Sequence, residues 1–552
     1  MKAGGGIRLA PLWALTLFLV VPLWASRDSD LGQAYGLYAD WRGRLALCVL
    51  VALSALAIHL CLHPQIGARV ERFVSQHFRK LLALYVLAYT AIFAALAIVA
   101  YLRFHSVVDY ANFLQSLNSA AHGRFFTNCL SNAPREISIF ADHNAPIMFL
   151  LLPIYMLLPY PSVLLVISTL ILASTAVILS RYLTQIAGLD RTTTLCLCMA
   201  ATLAPYFVSQ NFEGLSIEMF APPLFVLAFY LFEKERFWPF MLVLLLLNSL
   251  KEQVAIVMMV FVLIALARGK SARWAVGPFL LNAAMIFISF GLVIPHFRPT
   301  GAYKLLDPDA ATSLAGQAMA YLRHPASAVQ QVLAPFRLTY IYVIAATNLF
   351  FLPFLALESL FILPSLAKNL IFVRWAANIM SKHALLMSGA MAVAVGKGVG
   401  KFALVARRKH DAVSLAASAR SPATRVLAIL LLASSIAHIP VWSRNVNLAR
   451  DANHEARVKL LKIIPRDAVI ALPQDMLTRF STRNKLYNSA TPSGLTGFEM
   501  PVDYVVIDTS FHPEHYDYAG LLRAVEANQG MYKGFKLIWR SDGLYLFERQ
   551  KR

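Results

Sequence analysis

Apolar runs separated by short polar stretches rich in Lys and Arg set the pattern of residues 1–441. Leu81–Leu102, Val163–Ser180, Val254–Ala267 with its flanks, and Ala275–Pro295 are typical. About 20 apolar residues in a helix cross a bilayer. Read this way, the chain predicts spans near 9–25, 44–62, 81–102, 161–180, 192–209, 219–232, 237–250, 254–267, 275–295, 338–352, 353–370, 383–397 and 424–441, about thirteen in all. The stretch Pro146–Pro159 is apolar but short and bounded by prolines, which predicts a re-entrant or interfacial helix.

After residue 441 the pattern changes. His454–Ile464 has helical periodicity, while Ala468–Leu472 and Tyr504–Asp508 are short apolar runs suited to buried strands. Phe535–Trp539 and Leu544–Glu548 flank Ser541-Asp542-Gly543, a hairpin signal. The expected fold is therefore mainly α, a polytopic transmembrane bundle followed by a small C-terminal α/β domain. Its parts are N-terminal spans (1–102), an outer loop with an interfacial helix (103–160), the main bundle (161–441) and an extracytoplasmic α/β domain (442–552).

Composition agrees with a membrane solvent: 58% of the 552 residues are hydrophobic and only 14% charged, against about 25% charged in soluble domains. The net charge of +21 would suggest nucleic acid in a soluble chain. Here Arg69, Arg72, Arg79 and Lys80, then Arg181 and Arg191, Lys234 and Arg236, Arg268, Lys270 and Arg273, and Lys397 to Arg420 all fall in loops that the alternation of spans puts on one side. The positive-inside rule makes that side cytoplasmic and no nucleic-acid partner is expected. The start of the chain (Lys2, Arg8, then a run to Ala25) resembles a signal peptide, but Leu23 stands where cleavage needs a small residue, so an uncleaved first span is expected. The five cysteines imply no disulfide framework.

Ionisable groups at membrane boundaries are costly and mark function. Those of this chain converge on the outer side: Asp109, Asp142 and His143, Glu213 and Glu218, Lys251 and Glu252, His296 and Arg298, and Lys382 with His383. Each also has a plain reading. Asp109 fits a helix cap, Asp142-His143 a turn before a helix, Lys251-Glu252 a solvated hairpin tip, Glu213 and Glu218 a surface loop, and His383 an interface histidine. Asp508, His512, His515 and Asp517 match no specific metal spacing and read as a solvated loop. The chain has no GxGxxG, P-loop or HExxH motif.

Four stretches carry a resemblance: Val108-Asp109-Tyr110-Ala111-Asn112-Phe113-Leu114-Gln115 continuing to Ala121-His122-Gly123; Asp142-His143-Asn144-Ala145-Pro146; Glu218-Met219-Phe220-Ala221-Pro222-Pro223; and Leu250-Lys251-Glu252-Gln253, with Lys382-His383 as a weaker fifth. Through them, from Val107 to Ile294 and weakly through the tail, the chain resembles a large family of bacterial and archaeal polytopic proteins of unknown function, grouped with the GT-C membrane glycosyltransferases. Relatives often carry a second carboxylate where Leu114 stands and His-Pro where Ser216-Ile217 stand.

The resemblance implies a bacterial inner-membrane, multi-pass enzyme that moves a sugar from a polyprenyl-phosphate donor in the outer leaflet to an extracytoplasmic glycan or lipid acceptor. Asp109 matches the base position, though two extra spans precede it, and segment 143–159 resembles the interfacial helix lining the donor site. Catalytic roles are expected for Asp109, Asp142, His143, Lys251 and Glu252, with Glu252 orienting Lys251. Substrate contacts are expected from Glu218, Glu213, His296, Arg298 and His383. No cofactor is certain; a divalent metal is possible and would sit on Asp109 and Asp142. The competing expectations are a lipid-linked sugar flippase or transporter, a non-catalytic membrane scaffold, and a transferase moving a phosphate-linked group.

Overall fold

The computed structural model describes residues 40–106, 108–129, 136–298, 314–349, 352–371, 382–407, 421–440, 450–483, 485–489, 502–510, 517–529 and 533–550. The expected span 9–25 lies outside them, as do His512 and His515.

Helix α1 (Trp41–Leu62) begins at Asp40, whose carboxylate accepts the Gly43 N–H at 2.6 Å, an N-cap. Helix α2 (Pro64–Leu102) follows after one residue. The basic stretch 69–80, expected as a loop, is the first part of α2. Pro64 fits the first helical position, and Arg, Lys, Gln and Ala are good helix formers. Past Phe104 the chain enters α3 (Val108–Ala121), then a two-stranded ribbon of β1 (Thr127–Asn128) and β2 (Ile137–Ser138), then α4 (Met148–Leu157). At ten residues α4 is too short to span, and it leaves Phe149, Leu150, Met156 and Leu157 exposed.

The bundle continues with α5 (Pro161–Gln185), α6 (Arg191–Leu203), α7 (Ala221–Glu233), α8 (Phe237–Asn248), α9 (Glu252–Ala267), α10 (Arg273–Phe297), α11 (Pro335–Thr347), α12 (Ile362–Ile371), α13 (Leu385–Arg407) and α14 (Pro422–Ala437). Among the described residues five helices are long and apolar enough to cross a membrane: α1, α2, α5, α10 and the stretch Lys382–Phe402. A sixth joins α6 to Pro205–Asn211 across a 59° bend. The expected count of about thirteen is not reached by helices of that length. Residues 237–248, 252–267 and 422–437 form shorter apolar helices. The expected pair 338–352 and 353–370 becomes α11, two 3-10 turns and α12, broken where Pro353 opens a turn and Ala356 is extended.

Helices α7, α9 and α13 all start in one charged layer and run to a second, where α7 and α9 finish and α13 passes at its middle. At the finishing end Arg268 binds Glu233 (2.7 Å) and Glu358 (2.6 Å), and Lys397 binds the same two carboxylates. Beside them is a cavity of about 360 Å³, lined in part by Arg268, Lys270 and Trp274.

The C-terminal residues form a mixed sheet in the order β4-β3-β5-β7-β6: β3 (Ile470–Leu472), β4 (Leu486–Asn488), β5 (Tyr504–Asp508), β6 (Phe535–Ser541) and β7 (Leu544–Arg549). Strands β3, β4 and β5 run parallel; β5, β7 and β6 are antiparallel. Asp542 (φ 49°) and Gly543 (φ 80°) turn the β6–β7 hairpin, the left-handed pair such turns need. Helices α15 (His454–Ile463) and α16 (Tyr518–Glu526) accompany the sheet. Asp517 caps α16, and Asp508 is buried in an ion pair with Arg457 at 2.7 Å, so both carboxylates have structural roles.

This sheet unit docks on the corner between α2 and α3. Phe104, buried there at φ 66°, and Ala111 share a hydrophobic cluster with Leu460, Met476, Leu477 and Phe480. The guanidiniums of Arg457 and Arg479 lie 5.8 and 5.5 Å from the centre of the Phe104 ring.

Candidate functional site

The starting ends of α7, α9 and α13 gather a cluster of charges against α3. Asp109 lies in the first turn of α3, where a helix favours an anion. Lys382, in the turn before α13, donates to its Oδ2 at 2.5 Å. The ammonium also lies 5.9 Å from the centre of the Phe113 ring, one turn further along α3. Burial pushes the Asp109 carboxyl up, but Lys382 outweighs it and holds the group below its ordinary range. The Asp109 side chain is nevertheless 43% exposed, so solvent reaches it.

Glu213 follows the bent pair, in a turn closed by Gly214 at φ 79°. A Cβ on Gly214 would stand 2.5 Å from the Tyr110 ring, so glycine lets this loop press on α3. Burial pushes the Glu213 carboxyl up to about 8, against the pull of Lys382, whose backbone N–H it accepts.

Glu218 and Lys251 form a sealed pair, 3.2 Å apart with side chains 1% and 5% exposed. The neighbouring Glu252 turns away and meets His143 at 3.3 Å. Glu252 therefore does not orient Lys251. Lys251 is extended (φ −167°) and Glu252 is the first residue of α9, so the two side chains diverge. The Ile147 N–H donates to Ser249 O at 3.1 Å, tying the segment that carries His143 to the approach to α9.

Lys368, on α12, was not legible as a site residue. Its ammonium lies 3.3 Å from Gln253 Oε1 and 3.2 Å from His383 Nδ1. Asn369 Nδ2 bonds Tyr340 Oη at 2.7 Å and His383 O at 3.4 Å, fixing α12 against the turn that carries Lys382 and His383.

The structure thus brings together Asp109, Glu213, Glu218, Lys251 and His383, with His143 and Glu252 paired beside them. Asp142 ends the 3-10 turn Ile139–Ala141 and is half-buried; among the described residues its carboxylate has no side-chain partner. His296 is exposed with its ring on Phe297, and Phe297 stacks on Phe125 at 5.1 Å. Arg298 is buried just beyond the end of α10. Among the described residues no three His, Cys, Asp or Glu groups gather as a metal site, and Asp109 is engaged by Lys382. Sequence reading found Lys382 only as the neighbour of His383.

A family model described as a predicted membrane protein (DUF2079) matches residues 99–544. No curated protein matches the chain. Among solved structures the chain is similar to ArnT from Cupriavidus metallidurans bound to undecaprenyl phosphate, with a TM-score of 0.46 and 9% identity, over 84% of this chain and 97% of that one.

Proposed function

We propose, from the premise that the chain belongs to the DUF2079 family of predicted membrane proteins, that this multi-pass membrane protein is a glycosyltransferase of GT-C type. It takes a sugar from a polyprenyl-phosphate donor and passes it to an extracytoplasmic glycan or lipid acceptor. The protein sits in the bacterial inner membrane with its C-terminal sheet on the outer side.

Asp109 is the observation that carries the reading. It is an ionised carboxylate kept open to solvent, while Glu218 and Glu252 beside it are sealed by partners. An acceptor hydroxyl held against it gives up its proton to the carboxylate as its oxygen bonds to the anomeric carbon. The bond from that carbon to the phosphate oxygen breaks, and polyprenyl phosphate departs with the electron pair. Lys382 can then pass from Asp109 to the leaving phosphate, with Lys251 and His143 adding positive charge around it. Glu213, protonated at neutral pH, donates a hydrogen bond to the acceptor. Glu218 and His383 hold the cations in place, and Asp142, His296 and Arg298 border the donor's path along α4. A flippase would place its charges at the midplane, on broken helices. Here they gather at the ends of the bundle.

Asp109→Asn keeps the shape and removes the base. In cells lacking the protein, this variant should leave transfer down about 10²–10⁴-fold. Lipid mass spectrometry should then find the same accumulated polyprenyl-phosphate sugar as in the deletion, with the wild-type gene clearing it. Full clearance by Asp109→Asn would overturn the assignment.

A further inference from the structure

We infer that Lys368, with Gln253 and His383, forms a seat for the phosphate headgroup of a membrane lipid beside Asp109. The argument begins with charge matching. Lys382 has Asp109, Lys251 has Glu218, and His143 has Glu252. Among the described residues Lys368 has no carboxylate against it: its ammonium rests on a neutral amide and an imidazole. An ammonium at membrane depth without an anion is expensive, and such a group stands ready for one.

The surroundings are arranged for an anion. An ammonium only donates, so His383 Nδ1 accepts from Lys368 and the ring turns its acceptor to the ammonium. The bonds of Asn369 to Tyr340 and to the His383 carbonyl hold both groups in fixed relation. Lys251 and Lys382 act on Lys368 electrostatically, and so do Glu218 and Glu252; those four charges are already matched in pairs with Asp109 and His143, so the Lys368 ammonium is the charge left for an added anion to balance. Lys368 and Gln253 are both half-buried, open where Lys251 and Glu252 are sealed.

Depth points to a lipid. Along α7 the site layer at Glu218 and the opposite layer at Glu233 are roughly 22 Å apart at 1.5 Å per residue, less than the hydrocarbon thickness of about 30 Å. The seat therefore lies no higher than a headgroup, on α12, whose Leu363 is exposed. The phosphate can come from a polyprenyl monophosphate or from an ordinary phospholipid. The inference rests on the transferase reading only in expecting the first.

The test is binding without turnover. The purified protein in phosphatidylcholine nanodiscs is titrated with polyprenyl monophosphate, and separately with phosphatidylglycerol, by native mass spectrometry. Lys368→Gln should weaken polyprenyl-phosphate binding about tenfold or more, Lys368→Arg should stay within about threefold of wild type, and Asp109→Asn, which frees Lys382, should not weaken it. Unchanged binding in Lys368→Gln, equal loss in Asp109→Asn, or no binding to wild type would overturn the seat. Binding of phosphatidylglycerol with the same dependence on Lys368 would uphold the seat while contradicting the polyprenyl donor. If Lys368→Gln unfolds, Gln253→Leu makes the same comparison, with weaker binding expected.

Discussion

Between Asp109 and Glu218, burial keeps a proton on Glu213 to about pH 8, whereas in the unfolded chain the group releases it near 4.5. The folded state thus holds the proton more tightly. Its contribution to stability is complete below about 4.5 and is lost as pH rises through about 8. Glu213→Gln, which cannot ionise, should remove that decline: thermal unfolding in detergent at pH 4.5 and 8 should show a smaller loss for the variant than for wild type. Equal losses would mean that Glu213 titrates normally. At this scale the sequence showed which ionisable residues lie at the ends of apolar runs better than which of them meet. Asp109, Glu218 and Lys251 stood out because ionisable groups at the ends of apolar runs are rare. Their partners could not be read, since Lys382 lies far along the chain from Asp109 and Glu218 far from Lys251. Lys368 was hidden inside a stretch read as a span.

Helix α13 reaches the site because it lies tightly on α7. A Cβ on Gly389 would come within 2.8 Å of both Pro222 O and Phe225 Cβ, so glycine sets the spacing. Gly400, further along the same helix, would meet nothing nearer than 3.8 Å. Gly389→Ala should therefore lower stability by about 1–3 kcal/mol through overpacking and pull Lys382 out of register with Asp109. Gly400→Ala should raise stability by up to about 1 kcal/mol through helix propensity. Thermal unfolding of the two variants should move in opposite directions; a shared direction would refute the close-approach argument. The elements themselves were partly legible. Apolar length marked α1, α5 and α10, and Asp542-Gly543 marked a hairpin because few residues accept that backbone. The basic start of α2 has the charge of a loop but the propensity of a helix, and propensity wins. The break at Pro353 was legible between the expected spans 338–352 and 353–370, but the second of these is two 3-10 turns and the short α12.

Across the whole molecule, two layers of paired charge cap an apolar bundle, and the C-terminal sheet clamps the corner that leads into the Asp109 helix. Hydropathy gave the membrane class at once. It did not give the docking of the sheet on Phe104, because that contact depends on Arg457 and Arg479 folding back from hundreds of residues away. The same arrangement leaves Asp109 open to solvent while Glu218 and Glu252 are sealed, and the proposed transfer depends on it. The most direct measurement reconstitutes the purified protein with total lipid extracted from cells that lack it and follows lipid-linked sugars by mass spectrometry. Loss of one polyprenyl-phosphate sugar and matching release of polyprenyl phosphate with wild type, but not with Asp109→Asn, is the predicted result. Turnover by Asp109→Asn at the wild-type rate, or no lipid-linked sugar consumed by either protein, would contradict it.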